Sequence, residues 1–314
     1  MTSSDPFDIP HIRVESGGHD ATFSGSWYRG PHTNWIPSKA QLLAVDAVER
    51  FIMEGWKPRQ PFITHASRIT AFGSCFAQNI SEYLAKRKYN VLGKDLSRSA
   101  HIIRFGEGMV NTFAIRQQFE WAVGERNFDD VFWIGPKKEI ASHDPAIREE
   151  TREIILSTDT FIITLGLSEI WYDKRSGEAF WRAIPKEIFD ERRHGFRVST
   201  VDENRENLSA IRRIVRSINA NANIVLTLSP LPLMATFRPV SCLTANSVSK
   251  AILRVAIDEC MRQDVQDSQM FYFPSYEIVN ELFTNQRGED NRHIRPEIID
   301  FVMQTFCRFY CAPG

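Results

Sequence analysis

The chain has 314 residues, 43% hydrophobic and 25% charged, with a formal net charge of −1. That is an ordinary globular balance, long enough for one or two domains and a core that needs no staples. It excludes an electrostatic case for nucleic acid or an anionic membrane as partner, and the short basic runs Arg192-Arg193-His194 and Arg212-Arg213 are mixed with acids and read as solvated faces.

Five cysteines are present, an odd number with no CxxC pair, so a disulfide framework is not expected and a reducing compartment fits better. Cys307 and Cys311 share a helix face, but two thiols alone make a poor metal site. The start, MTSSDPFDIPHIRVESGGHD, lacks a basic segment followed by an apolar one, and no run of about 18 apolar residues occurs. The expectation is a soluble, cytoplasmic protein.

In chain order, residues 1 to about 40 read as irregular chain whose aromatics (Phe7, Phe23, Trp27, Tyr28, Trp35) suggest packing onto the body. An N-terminal extension over 1–60 and a main domain over 61–314 are expected. Pro37 to Trp56 carries Leu42, Leu43, Val45, Val48 and Phe51-Ile52, the spacing of an amphipathic helix, which Pro58 and Pro61 break. From Arg68 onward, strand-length apolar runs alternate with helical patterns. The strands are Ile69–Gly73, Tyr89–Leu92, Phe161–Leu165, Ile224–Leu228 and Met270–Phe273. The helices are Asn79–Arg87, Thr112–Ala122, Pro145–Ser157, Val201–Ile218, Ser247–Gln263 and Pro296–Phe309. This alternation predicts an α/β fold, a three-layer α/β/α sandwich on a central parallel sheet. The stretch from Trp171 to about Val198 breaks the rhythm and reads as a long insertion between a strand and a helix.

In open α/β sheets, ligands sit outside the carboxyl ends of the strands. The first strand is followed there by Gly73-Ser74-Cys75, the Phe161 strand by Gly166-Leu167-Ser168-Glu169 with Trp171 beyond. Asp290-Asn291-Arg292-His293 precedes the last helix. A serine hydroxyl needs a base to act as a nucleophile, histidine is the usual one, and the histidine needs a carboxylate to fix its tautomer. Asp290 and His293 are spaced for a short turn to join them. Taken singly, Ser74 reads as a helix cap, Asp290 as a turn residue and His293 as a surface histidine. There is no GxSxG, so the α/β-hydrolase elbow is disfavoured. There is no GxxxxGK[ST], no GxGxxG after a strand and no HExxH, so nucleotide binding and metal catalysis read poorly, and no cofactor is expected.

FGSCFA at 72–77, VNTFAIRQ at 110–117, TLGLSEIW at 164–171, LSPLPLMATF at 228–237 and YFPSYEIV at 272–279 resemble, in this order, the GSCFA domain family. The resemblance spans about residues 60–308. That family resembles in turn the SGNH (GDSL-like) esterases, with a flavodoxin-like sandwich. The resemblance implies that Ser74 stands where the SGNH nucleophile stands and that Asp290 and His293 match the terminal DxxH. It also implies that Gly166 to Glu169 fall where SGNH enzymes carry GxND.

The sequence departs from that pattern in having Ser168 for the oxyanion-donating Asn and Glu169 for the acid. Loss of one such donor costs about 2.7–4 kcal/mol of transition-state stabilisation. Asn111 offers a replacement amide, against the simpler reading of a helix cap. Cys75 is a second candidate nucleophile, since helix N-termini favour thiolates, against simple packing.

The implied activity is a serine-dependent acyl enzyme acting on O-acyl esters of small molecules or carbohydrates. Transfer of the acyl group to a hydroxyl, or a non-catalytic binding module, are the alternatives. The oxyanion is expected on backbone N–H groups at the Ser74/Cys75 turn, and Trp171, Tyr172, Phe180 and Trp181 suit a carbohydrate platform or the packing of a long loop.

Overall fold

The computed structural model describes residues 32–95, 97, 99–103, 110–128, 144–263 and 265–313, and the backbone of 11–16 and 19–24. Phe7, Trp27 and Tyr28 lie outside them. The chain divides into two compact units, 1–54 and 55–314.

In the first unit, β1 (His11–Ser16) and β2 (His19–Ser24) form an antiparallel hairpin. The sequence reads as irregular there because the alternation Ile12, Arg13, Val14, Glu15 is brief and set among Ser and Gly. The helix expected over 37–56 is broken. It consists of α1 (Lys39–Leu42), capped by Ser38 and Gln41 in a reciprocal capping box, and a separate wide helical turn, Val48–Ile52. Leu43 and Val45 between them are exposed, so the apolar residues do not form one stripe.

The second unit is built on five parallel strands: β3 (Arg68–Gly73), β4 (Asn90–Val91), β5 (Thr160–Leu165), β8 (Asn223–Leu228) and β9 (Met270–Phe273). Their order across the sheet is β4-β3-β5-β8-β9. Counted along the sheet's own strands this is 2-1-3-4-5, the flavodoxin-like order, whose switch point lies between the first and third strands, here β3 and β5. The strands are apolar runs because both faces are covered; all six residues of β5 are buried.

Side-chain parity sorts the strands' faces. Phe72, Ile163, Leu226 and Tyr272 lie in one row across the sheet. They enter a core with Ile115 and Phe119 of α3 (Thr112–Val123), Ile154 of α4 (Pro145–Ser157), Ile211 of α5 (Val201–Ile218) and Leu253 of α6 (Cys242–Gln263). The alternate row carries Ala71, Ile162, Val225 and Phe271. On that side, α2 (Cys75–Lys86) packs on β3, and Phe271 and Phe273 meet Tyr310 of α8 (Pro296–Tyr310) edge-on. α7 (Ser275–Leu282) packs on α8. The result is a three-layer α/β/α sandwich.

The sequence misses two things here. α7 is only eight residues long, and its caps give no strong signal. The segment read as a long insertion contains an antiparallel hairpin, β6 (Glu169–Asp173) with β7 (His194–Val198). Asp173 clamps that hairpin. It is buried and accepts from Arg175 and Arg193, and these guanidinium groups hold its carboxyl well below the usual range against the opposing effect of burial.

Candidate active site

The carboxyl end of β3 makes an abrupt entry into α2. Gly73 sits at φ +117, and a Cβ there would lie 2.0 Å from the Thr164 carbonyl oxygen of β5. Only glycine lets the two strands run this close at the switch point. Ser74 follows in extended conformation and caps α2, its Oγ accepting from Phe76 N–H at 3.2 Å. The cap reading is therefore correct. It does not preclude chemistry, because the cap uses an oxygen lone pair and leaves the hydroxyl proton to be given away. Ser74 is 7% exposed.

Across the crevice, Gly166 follows β5. A Cβ on Gly166 would stand 3.0 Å from Val110 Cβ and 3.6 Å from Ser74 Cβ, so this position too is held small beside Ser74. The turn after Gly166 is gripped from α6. Lys250 Nζ donates to Gly166 O at 2.7 Å, and Ser249 Oγ accepts from Ser168 N–H at 2.8 Å. Ser168 is fully buried, and its hydroxyl has no hydrogen-bond partner among the described residues.

The third element is the turn before α8. Asp290 Oδ1 accepts from the N–H groups of Arg292 (3.1 Å) and His293 (3.0 Å), and Oδ2 accepts from His293 Nδ1 at 2.5 Å. Asn291 takes φ +53 to close the turn, a conformation Asn tolerates better than most residues. The imidazole and then the two amides lower the Asp290 carboxyl to about 2. With the proton on Nδ1, Nε2 carries the lone pair of a base, and Arg292 Nη1 donates to that lone pair at 3.2 Å. His293 is exposed, with 63% of its side chain accessible.

The expected site residues fall around two cavities. His293 and Cys75 line one of about 440 Å³, with Asn79, Leu231 and Met303 among its walls. Asn111, Glu169 and Trp171 line another of about 130 Å³, together with Leu167, Phe196 and Phe237. Asn111 caps α3, Oδ1 accepting from Ala114 N–H at 2.9 Å, so here too the cap reading is correct. Burial raises the Glu169 carboxyl, which accepts from Thr236 Oγ1. Trp171 meets Phe237 and Phe189 edge-on and leans on Phe196. Phe180 and Trp181 pack among buried side chains with Trp121 and Phe128, which favours the packing reading for Trp181, whereas Phe180 also lines the second cavity.

One expectation needs correction. The Ser74 N–H is not open to an oxyanion; it donates to Thr164 O at 3.3 Å because the strands are so close. No hydrogen bond joins His293 to Ser74 among the described residues; Arg292 holds Nε2 instead.

Lys250, Ser249 and Arg292 are the site residues that sequence reasoning missed. A signal existed for Lys250. It lies three and seven residues before Leu253 and Ile257, on the buried stripe of α6, where a lysine has no reason to be unless its ammonium has a task.

A model of the GSCFA family matches residues 68–306. The chain belongs to the GSCFA family. The matched segment starts at the first residue of β3, ends within α8, and contains every residue of the crevice named above. No curated protein matches the chain. Among the described residues, no helix is long and apolar enough to cross a membrane, and no three His, Cys, Asp or Glu side chains group as metal ligands. None of the five cysteines forms a disulfide.

Proposed function

We propose that this GSCFA-family chain is a serine acyl enzyme that hydrolyses O-acyl esters, in the manner of the SGNH esterases its sequence resembles. One observation carries the reading: His293, bonded through Nδ1 to Asp290 and with Nε2 as its basic atom, lines the same cavity as Cys75, the residue that follows Ser74.

In this reading, Ser74 Oγ attacks the ester carbonyl carbon as its proton passes to His293 Nε2. Asp290 fixes the tautomer and stabilises the imidazolium. Collapse of the tetrahedral adduct breaks the ester C–O bond, and the leaving alcohol takes the proton from Nε2. Water, deprotonated by Nε2, then attacks the acyl-serine and releases the acid, restoring Ser74. If an alcohol enters in place of water, the product is a new ester, which is the acyltransferase alternative.

The oxyanion falls to donors other than Ser74 N–H. The Cys75 N–H is first in α2, has no intrahelical acceptor, and lies at the positive end of the helix. The Ser168 hydroxyl, which has no partner among the described residues, is the second donor of this reading. Arg292 must leave Nε2 before His293 can act as base, so the geometry is that of a resting site.

A second reading is favoured by the cavity itself: Cys75 lines it with His293, and its thiol is half-buried. A fluorophosphonate probe followed by peptide mass mapping separates the two. Ser74 labelled in wild type and in Cys75→Ala supports the first reading. No label on Ser74 in either protein overturns the first reading, and loss of ester turnover in Cys75→Ala with Ser74→Ala active supports the second.

A further inference from the structure

The resting site contains more positive charge than its mechanism needs. Lys250 is 2% exposed, and its one hydrogen bond goes to a neutral acceptor, Gly166 O. The two charged groups that act on Lys250 are both cationic, Arg287 and Arg292. Arg287 reaches only Asn280 Oδ1, at 3.4 Å. Arg292 uses Nη1 on His293. The Nε atoms of both arginines are buried with no partner. Among the described residues none of the three cations forms an ion pair, although the fold pairs most of its other arginines with carboxylates.

Enclosing one ammonium beside two guanidinium groups is costly in desolvation and in mutual repulsion. The cost shows in Lys250, whose ammonium is pushed down to about 7, first by burial and then by Arg287 and Arg292. No ion pair among the described residues offsets it, and neither buried Nε has a partner; an anion among the cations would offset it. Guanidinium groups present paired donors that match the planar fork of a carboxylate or the oxygens of a phosphate.

We propose that the substrate carries an anionic group, a carboxylate or a phosphate, held by the guanidinium groups of Arg287 and Arg292, with Lys250 as a third, enclosed positive charge. The proposal deepens the ester-hydrolase reading and rests on it for the word substrate; anion binding itself does not depend on that reading. Position supports it. Lys250 holds the backbone of Gly166, which faces Ser74, and Arg292 holds His293, so two of the three cations touch residues of the candidate site. It also gives the resting geometry a use: an anion that draws Arg292 to itself uncovers His293 Nε2.

The test is isothermal titration of wild type, Ser74→Ala, Arg287→Gln and Arg292→Gln with succinate and, separately, inorganic phosphate. Circular dichroism confirms that each variant is folded, and either arginine variant suffices alone. The expected result is binding of one of the two anions to wild type and to Ser74→Ala, weakened at least tenfold in an arginine variant and weakened by salt in the folded wild type. Binding of succinate names a carboxylate, binding of phosphate a phosphoryl group. Absence of binding to wild type, or equal binding by the arginine variants, overturns the proposal.

A kinetic arm separates this proposal from the reading beneath it. Wild type and Arg287→Gln are compared on 4-nitrophenyl acetate and on the mono-4-nitrophenyl ester of succinate. A preference for the anionic ester that falls at least tenfold in Arg287→Gln supports the proposal. Ser74-dependent hydrolysis with no such preference and no anion binding sinks the proposal and leaves the esterase. Anion binding without any hydrolysis sinks the esterase and leaves the anion site.

Discussion

Lys250 of α6 donates a 2.7 Å hydrogen bond to the carbonyl oxygen of Gly166, and Gly166 faces Ser74 across the crevice between β3 and β5. A buried ammonium thus fixes the backbone beside the candidate nucleophile. The arrangement is one of positioning: Lys250 sets where the turn lies, and Gly166 leaves room for Ser74.

The same relationship has a pH signature. The Lys250 ammonium is lowered to about 7 in the folded chain, against about 10.4 for an unfolded lysine. Between these values the unfolded state holds a proton that the folded state lacks, so folding gains stability as pH rises. Below about 7 both states are charged and the penalty is fully present. Lys250→Met removes this dependence. The stability of wild type relative to Lys250→Met should therefore rise from pH 7 to pH 9, by up to about 1.4 kcal/mol per unit. Urea denaturation of both proteins across that range measures it, and other titrating groups cancel in the difference.

Gly73→Ala tests the close approach of β3 to β5. The new Cβ would meet the Thr164 carbonyl oxygen at 2.0 Å, and the backbone holds a φ of +117. Neither the strand nor the carbonyl is a flexible end that can step aside. A loss of at least about 3 kcal/mol is expected, from overpacking and backbone strain together. The urea midpoint reads it, and a loss below about 1 kcal/mol would show that the crevice is looser than described.

Asp290→Asn separates orientation from charge. The residue is exposed, so the fold should survive. An Asn keeps an acceptor for the N–H groups of Arg292 and His293 but presents a donor to Nδ1. The imidazole proton then moves to Nε2, and the basic lone pair is lost from the side that needs it. Ester turnover is expected to fall by about 10²- to 10⁴-fold. Because the carboxyl is lowered to about 2, it stays ionised in any usable assay. The wild-type pH–rate profile should show no inflection near the ordinary carboxylate value of about 4 that Asp290→Asn removes.

Arg292→Gln tests the cap on the base. Arg292 Nη1 occupies the Nε2 lone pair of His293, so removing it uncovers the base. With a neutral ester such as 4-nitrophenyl acetate, kcat should rise, by about threefold to tenfold for release of a hydrogen bond worth about 1 kcal/mol. A fall in kcat on that ester would mean that Arg292 helps catalysis directly.

The layers of the fold are legible in the chain because both sheet faces are buried. The continuous apolar run of β5 and the capped stripe of α5 leave few other readings. The short elements are less visible. The hairpin β1–β2 carries too little pattern, and α7 lacks a side-chain cap. At the site, Gly73-Ser74 and Asp290-His293 are readable because a strand end and a DxxH spacing are local features. The Lys250–Gly166 contact and the Arg292–His293 contact are not. The first joins residues 84 positions apart, and the second depends on the turn that Asn291 closes. The expected use of Ser74 N–H fails for a related reason: how near β5 passes to β3 is set by packing, and Gly73 alone hints at it.

The central claim is most directly tested by 4-nitrophenyl acetate hydrolysis with wild type, Ser74→Ala, Cys75→Ala and His293→Ala side by side. Ser74→Ala also removes a helix cap, at a stability cost of about 1 kcal/mol, so each protein is first shown to be folded. The account predicts turnover by wild type and Cys75→Ala, and loss of at least about a hundredfold in Ser74→Ala and His293→Ala. Loss that follows Cys75 instead of Ser74, or four proteins that all match the buffer rate, would contradict it.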